Sequence, residues 1–221
     1  MSFIVGIDGP AGSGKGTVTK KVAEKMNLTD IDTGAMYRCV ALAMLEQNIK
    51  IEETEKIAEL LKNIKIEFVE NEEGKKVFLN EKDVTTTIRT KEVTEYCSPV
   101  SAIGIVRHQL VELQREMAES IDVIMEGRDI GTTVFPNANV KIYLDATPEE
   151  RAQRRFMQNK EKGIDIPYEE VLKNVKDRDY RDSHREISPL TKAEDAIYVD
   201  STDMTIDEVV DEIIRIIKEK M

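Results

Sequence analysis

Phe3-Ile-Val-Gly-Ile-Asp8 is an apolar run that stops at Gly9-Pro-Ala-Gly-Ser-Gly-Lys-Gly-Thr17, and no other junction constrains the chain as much. A buried strand feeding a small-residue turn and then a helix, here from Thr17 to Lys25, curls successive backbone N–H groups around an anion. Lys15 is placed to reach the outer phosphates of a nucleotide, and we expect it to face solvent and neutralise charge. The candidate phosphate grip is therefore Gly9, Pro10, Ala11, Gly12, Ser13, Gly14, Lys15, Gly16 and Thr17. The general pattern has Ser or Thr directly after the lysine; here Gly16 intervenes, and Thr17 is the candidate metal ligand. The spacing Gly9-x-x-Gly12 does not fit a dinucleotide fingerprint.

Beyond the grip, apolar runs and helical periodicity alternate as they do in a parallel α/β sheet. Leu28–Asp32, Asp122–Glu126, Val140–Ala146 and Ala196–Asp200 are the further strands. Gly34 opens a helix through Leu45 with Met36, Val40, Ala43 and Met44 on one apolar side, and Ile103–Ser120 forms another with Ile103, Val106, Leu110, Leu113 and Met117 inward. Thr147 to about Lys162 is helical behind a Thr147/Glu150 capping box, and Tyr168–Arg181 follows after a hinge-like break at Gly163. The last helix carries a core stripe of Ile206, Val209, Val210, Ile213, Ile216 and Ile217. Residues 49–89 interrupt the rhythm with a short helix, Thr54–Leu61, and a hairpin of Lys65–Val69 and Lys76–Leu79 around a Glu-Asn-Glu-Glu-Gly turn. Whether the hairpin decorates the fold or folds over a ligand stays open on sequence grounds.

The net charge of −11 argues against a duplex-binding surface, and a chain without Trp and with few Phe and Tyr has no stacking platform for single strands. No nucleic-acid partner is expected. Cys39 and Cys97 are not a close pair, and His108 and His184 are isolated, so neither a disulfide scaffold nor a metal cage is expected. The first apolar stretch is interrupted by Gly9 and Pro10 too early for a signal peptide, and no stretch reaches bilayer length. A monomer in the cytoplasm, without membrane contact, is the expectation.

A guanine switch is disfavoured, since no Asp is followed three places later by Gly and the only Asn-Lys pair is Asn159-Lys160-Glu-Lys. Charges gather instead near strand ends, in Asp32-Thr-Gly-Ala-Met-Tyr-Arg38, Glu126-Gly-Arg-Asp129 and Arg178-Asp-Tyr-Arg-Asp-Ser-His-Arg185. Such a basic cleft fits phosphoryl transfer to a small anionic acceptor, because charge on the equatorial oxygens must be neutralised in the transition state. Arg151, Arg154 and Arg155 lie at helical spacing and are expected in a closing lid.

From Val5 to about Ile214 the chain resembles the bacterial cytidylate kinase family, in Ile7-Asp-Gly-Pro-Ala-Gly-Ser-Gly-Lys-Gly-Thr17, Asp32-Thr-Gly-Ala-Met-Tyr-Arg38, Ile88-Arg-Thr90, Glu126-Gly-Arg-Asp-Ile-Gly-Thr132, Val140-Lys-Ile-Tyr-Leu-Asp-Ala146 and Arg178-Asp-Tyr-Arg-Asp182. The resemblance implies an α/β fold with a five-stranded parallel sheet. It further implies one P-loop kinase domain over residues 1–221, a monophosphate-binding insert at 49–97 and a mobile lid at 151–170. It implies transfer from ATP, with Mg²⁺, to CMP or dCMP. By the same resemblance Arg38, Arg128 and Arg185 clamp the acceptor phosphate, Thr33 lies beside them, and Arg178 and Asp182 hold the sugar. Ser98, Arg107 and Asp129 read cytosine. Lys15, Arg128, Arg155 and Arg181 serve the transfer, Ser201 and Thr202 lie near adenine, and Thr17 and Glu126 hold the metal, Glu126 through water. The family more often has Asp where this chain has Glu126. Another small-acceptor kinase, for UMP, AMP or a nonnucleotide acid, and a nucleotide-binding regulator without transfer are the alternatives.

Overall fold

The computed structural model describes residues 2–71, 74–161 and 163–221. The chain divides into two compact units, Met1–Asp30 with Met117–Met221, and Ile31–Glu116.

In the first unit β1 (Ile4–Asp8) pairs in parallel with β6 (Val123–Gly127) on one side and with β7 (Val140–Asp145) on the other, and β7 pairs in parallel with β8 (Ile197–Asp200). With β2 (Thr29–Asp32) at the edge, the five-stranded order is β2-β6-β1-β7-β8. Side chains of a strand alternate between faces, and the inward set here is Val5 and Ile7 of β1 with Val140, Ile142 and Leu144 of β7. They pack with Val18 and Val22 of α1 (Lys15–Met26) and the stripe Val209, Val210, Ile213, Ile216 and Ile217 of α8 (Ile206–Lys218). Ile206, expected in that stripe, is 49% exposed, because it opens the helix before the first full turn reaches the sheet.

Two helix starts contrast with each other. At α8 the capping box is complete: Glu208 N donates to Thr205 Oγ1 at 3.3 Å and Thr205 N donates to Glu208 Oε2 at 2.8 Å. At α6 (Pro148–Glu161) only half of the expected Thr147/Glu150 box forms, with Glu150 N donating to Thr147 Oγ1 at 3.2 Å. Thr147 N goes instead to Thr202 Oγ1, and the Glu150 carboxylate accepts from Arg154 Nε at 2.9 Å. A stronger charge-assisted partner on the next turn captures the carboxylate that the box needs. Lys162, placed at the end of this helix by the sequence, lies outside the described residues. The following helix α7 (Tyr168–His184) runs one turn beyond its expected end at Arg181.

The second unit contains α2 (Thr33–Glu46), which is buried on nearly every side, from Ala35 through Met44 with Arg38 partly exposed, rather than on the single side expected. A helix apolar all round gives a weak periodic signal, so its partners on every side could not be read. Against it lie α3 (Thr54–Lys62) and α4 (Lys91–Val100), and a 3₁₀ turn, Thr87–Arg89, precedes α4. Neither the turn nor α4 was foreseen. Pro99 reads as a breaker in sequence, yet it sits in the last turn of α4, where Ser101 N still donates to Cys97 O at 2.9 Å. The hairpin is β3 (Ile66–Asn71) against β4 (Gly74–Leu79), paired from Ile66↔Leu79 to Asn71↔Gly74. Glu72 and Glu73, in the expected turn, lie outside the described residues. An unforeseen strand, β5 (Lys82–Asp83), joins β4, too short to show any alternation. In α5 (Gly104–Met117) the inward face is Val106, Arg107, Leu110, Val111 and Gln114, so Arg107, Val111 and Gln114 stand in place of the expected Ile103, Leu113 and Met117.

The two helix starts give a direct comparison. Thr205→Ala removes both bonds of the Thr205 hydroxyl, the one it accepts from Glu208 N and the one it donates to Glu208 Oε2, leaving only the backbone N–H bond of the box, and is expected to cost about 1–2 kcal/mol, whereas Thr147→Ala removes one and is expected to cost about 0.5–1 kcal/mol. Urea unfolding of both variants measures this, and a larger loss at Thr147 would contradict the assignment.

Candidate active site

In the phosphate loop Gly12 and Gly14 adopt positive φ, +82° and +89°, which turns successive amides toward one concavity. Gly14 caps α1 without any side-chain bond, and the first turn of α1 holds no acidic residue of its own. Lys15 departs from expectation. It is buried, 5% exposed, and its ammonium donates to Gly9 O at 2.7 Å, Pro10 O at 2.6 Å and Ser13 Oγ at 3.2 Å. Three donors on one nitrogen meet three acceptors of the loop that carries it, which holds the side chain over the turn rather than out in solvent. Burial, then the nearby Arg128 charge, push its pKa well below the ordinary value, while Glu126 and Asp8 pull it back.

Glu126 and Arg128 leave the carboxyl end of β6 beside this loop. A Cβ on Gly16 would stand 2.8 Å from Glu126 Oε1, so the carboxylate rests against the loop backbone. Arg128 Nε donates to Asp182 Oδ2 at 2.9 Å, and Arg178 Nε lies 4.0 Å from the same oxygen. Arg185 Nε donates to Ser188 O at 2.5 Å, and its NH2 lies 3.6 Å from Asp129 Oδ1. The structure thus gathers Arg128, Asp129, Arg178, Asp182 and Arg185 of the expected set. Burial alone would raise the Asp182 pKa, but Arg128 and Arg178 outweigh it and hold the carboxyl below its usual range.

Three arginines of α6 fare differently from one another. Arg151 is 3% exposed and forms a strut: Nε donates to Ala146 O at 2.8 Å, NH1 to Ala11 O at 3.1 Å, and the fork to Asp179 at 3.0 and 2.6 Å. It ties the phosphate loop to α7, and a bidentate carboxylate and two carbonyls satisfy it in the interior. Arg154 donates to Ser201 Oγ and O, while Arg155 is exposed. Ser201 itself is buried, its hydroxyl donating to Asp145 O at 2.9 Å, and Thr202 N and Oγ1 donate to Asp200. Arg181 is exposed, with Nε donating to Asp177 O. Thr17 is exposed on the first turn of α1.

The second unit builds its own charged start to a helix. Asp32 caps α2 by accepting from Ala35 N at 2.9 Å and also pairs with Arg89 NH2 at 3.1 Å. A Cβ on Gly34 would stand 3.2 Å from Arg38 NH1, so the glycine leaves room for the guanidinium at the start of α2, where Thr33 is buried. Arg107 is 2% exposed, lies 5.3 Å from the Tyr37 ring and donates to Ser101 O at 3.1 Å. Ser101 Oγ in turn donates to Ser98 O at 2.8 Å, so Arg107 and Ser98 are fixed by one short chain of bonds.

A family model described as Cytidylate kinase matches residues 5–219. The chain belongs to the cytidylate kinase family. Curated relatives named Cytidylate kinase include those of Ligilactobacillus salivarius, 51% identical over 98% of this chain and 96% of that one, and Fusobacterium nucleatum, 52% identical over 95% and 94%. The Bacillus subtilis relative is 48% identical over 98% and 96%. Among solved structures, an uncharacterised protein from Eubacterium ventriosum has a TM-score of 0.54 at 15% identity, covering 99% of each chain. A putative kinase from Chloroflexus aurantiacus has a TM-score of 0.50 at 13% identity, covering 100% of this chain and 98% of that one. These two support the fold. Among the described residues no helix is long and apolar enough to cross a membrane.

One buried carboxylate beside these residues escaped the sequence. Asp8 ends β1, is 5% exposed, and accepts from Ile130 N at 2.8 Å through Oδ1 and from Gly131 N at 2.7 Å through Oδ2. The signal was present: an apolar strand has little structural reason to end in a carboxylate. Burial pushes its pKa up to about 6; the Gly131 and Ile130 amides oppose this, Asp129 adds to it and Lys15 opposes it. A carboxyl whose folded pKa is raised binds its proton more tightly when folded. Stability therefore falls as pH rises from the unfolded value near 4 to about 6, by about 3 kcal/mol for this group, and is level above that. Asp182 has the opposite sign, stabilising above its unfolded pKa and losing that contribution as pH falls. The ¹³C carboxyl resonance of Asp8 is expected to titrate near pH 6, and a midpoint at or below 4 would contradict this environment.

Proposed function

We propose that the chain transfers the γ-phosphoryl group of ATP to CMP or dCMP, giving ADP and CDP or dCDP, reversibly and with Mg²⁺. The family match over residues 5–219, on a chain that keeps Lys15 and the arginine sets, carries this reading. The acceptor is already an anionic phosphate oxygen, so no separate general base is required, and catalysis rests on positioning and charge neutralisation.

The loop from Gly9 to Thr17 holds the ATP phosphates with its amides, and Lys15 exchanges its loop carbonyls for phosphate oxygens. Thr202 lines the loop near adenine, which Ser201 supports from beneath. Arg38, Arg128 and Arg185 clamp the acceptor phosphate with Thr33 beside them, and Arg178 and Asp182 hold the sugar. Arg128, Arg178 and Arg185 already pair with, or stand near, a carboxylate or carbonyl, so phosphate replaces a partner rather than water at each of them. Arg107 and Ser98 donate toward the N3 and O2 edge of cytosine, and Asp129 accepts from its N4 amine. Uracil offers an oxygen at that place, which would set acceptor against acceptor.

A hydroxyl and a carboxylate are the hard oxygen donors that Mg²⁺ takes alongside waters and phosphate oxygens, and Glu126 lies against the loop at Gly16, so Thr17 and Glu126 fit that ion. When bound, Mg²⁺ neutralises charge on the phosphate oxygens. Residues 49–97 serve as the monophosphate-binding insert, and 151–170 as a lid that brings Arg155, with Arg181 from the same helical region, over the transferring group and excludes water. The protein acts as a cytoplasmic monomer on free nucleotides, and its net charge of −11 disfavours nucleic acid.

ADP formation by purified protein with CMP, dCMP, UMP, AMP and GMP, with and without Mg²⁺, tests the reading. Cytidine nucleotides are expected to be the best acceptors, and Lys15→Ala is expected to lower kcat at least about a hundredfold with unchanged circular dichroism. An equal rate with UMP or AMP, or near-normal turnover in a folded Lys15→Ala variant, would contradict it.

A further inference from the structure

We propose that Asp8 is a positioning residue: its carboxylate fixes the backbone turn that presents Arg128 and Asp129 to the acceptor nucleotide. This rests on the roles given to Arg128 and Asp129 above. The parallel register sets the Asp8 backbone opposite Gly127, the last residue of β6. The chain then makes the excursion Arg128-Asp129 and returns, and the Asp8 side chain takes the amides of the next two residues, Ile130 and Gly131, at 2.8 and 2.7 Å. One residue therefore anchors both ends of the excursion, the near end by its backbone and the far end by its carboxylate.

The turn that follows is built to accept this grip. Thr133 N and Val134 N both donate to Asp129 O, at 2.8 and 3.1 Å, so the Ile130–Val134 turn hangs from the carbonyl of Asp129 itself. The first amides of such a turn have no partner within it, and Asp8 supplies one to each. On the same face of the sheet a Cβ at Gly6 would stand 2.9 Å from Ile130 Cγ2, so the glycine leaves the space in which Ile130 seats. Lys141 approaches Gly131 from β7, its Cδ 3.1 Å from where a Cβ would be, and is held in turn by Asp195 at 2.8 and 2.9 Å. Sheet, lysine and carboxylate leave the turn one seat. With both oxygens taken by amides, Asp8 serves the reaction through Arg128 and Asp129 and needs no contact with substrate.

Two variants disturb the turn from different sides. Asp8→Asn keeps size but sets an amide donor against a backbone N–H, and Gly6→Ala pushes on Ile130 with Asp8 intact. In each, the KM for CMP is expected to rise about ten- to hundredfold while the KM for ATP stays within about twofold, because an ångström of misplacement falls on the acceptor side alone. Arg128→Ala, measured beside them, is expected to raise the KM for CMP as well. If it does and folded Asp8→Asn does not, or if the two KM values rise together, the inference about Asp8 is overturned and the role of Arg128 stands. If Arg128→Ala leaves the KM for CMP unchanged, the role of Arg128 fails and the inference with it. Should Asp8→Asn fail to fold, Gly6→Ala decides: the same split supports the inference, and an unchanged KM for CMP overturns it.

Discussion

A cluster of charges held out of water at the carboxyl ends of β1 and β6 is the constraint on which the first unit depends. An isolated buried charge costs far more than one hydrogen bond returns, so each member must be paired or released. Lys15 is held by loop carbonyls, Asp8 by two amides, Arg128 by Asp182, and Arg151 by Asp179 and two carbonyls. These pairings explain why the loops between strands keep one shape. The Lys15 and Arg128 pairings are ones that a phosphate oxygen can replace, whereas those of Asp8 and Arg151 hold the backbone around them.

The cluster also explains why two carboxylates with similar burial respond to pH in opposite directions. Asp182 faces guanidinium groups, which favour its ionised form. Asp8 faces amides and a neighbouring carboxylate, which compensate its burial only in part. Keeping Asp8 in place despite that cost is sensible if the turn it holds matters more than the stability it forgoes.

Much of the first unit was legible in the sequence because its signals are local. The parallel strands are short apolar runs, the α8 stripe repeats at helical spacing, and the phosphate loop follows its strand without a gap. What escaped depended on which of several possible partners each group takes, some of them distant in sequence. Thr147 was expected to share a box with Glu150, but Thr202 and Arg154 took the two groups. Lys15 was expected in solvent, but acceptors of its own loop hold it inside, and Arg151 is buried by carbonyls and by the Asp179 carboxylate, which is remote in sequence. In the second unit α4, with Pro99 in its last turn, was not read, and α2 was read as a helix but with one apolar side where nearly every side is buried. The candidate site residues were readable as motifs, yet no motif distinguishes a side chain that touches a ligand from one that holds its neighbour.

Base choice is where the account is most exposed, and Asp129→Asn tests it. The variant keeps size but gains a donor that can turn toward uracil O4. For CMP the loss of a charged acceptor should cost about 1–3 kcal/mol, a tenfold to hundredfold fall in kcat/KM, while the penalty against UMP shrinks. The measurement is kcat/KM for CMP and for UMP at saturating Mg-ATP in both proteins, with melting curves to show that the variant is folded. The account requires the CMP-to-UMP ratio to fall; an unchanged ratio in a folded variant would mean that Asp129 does not read the base.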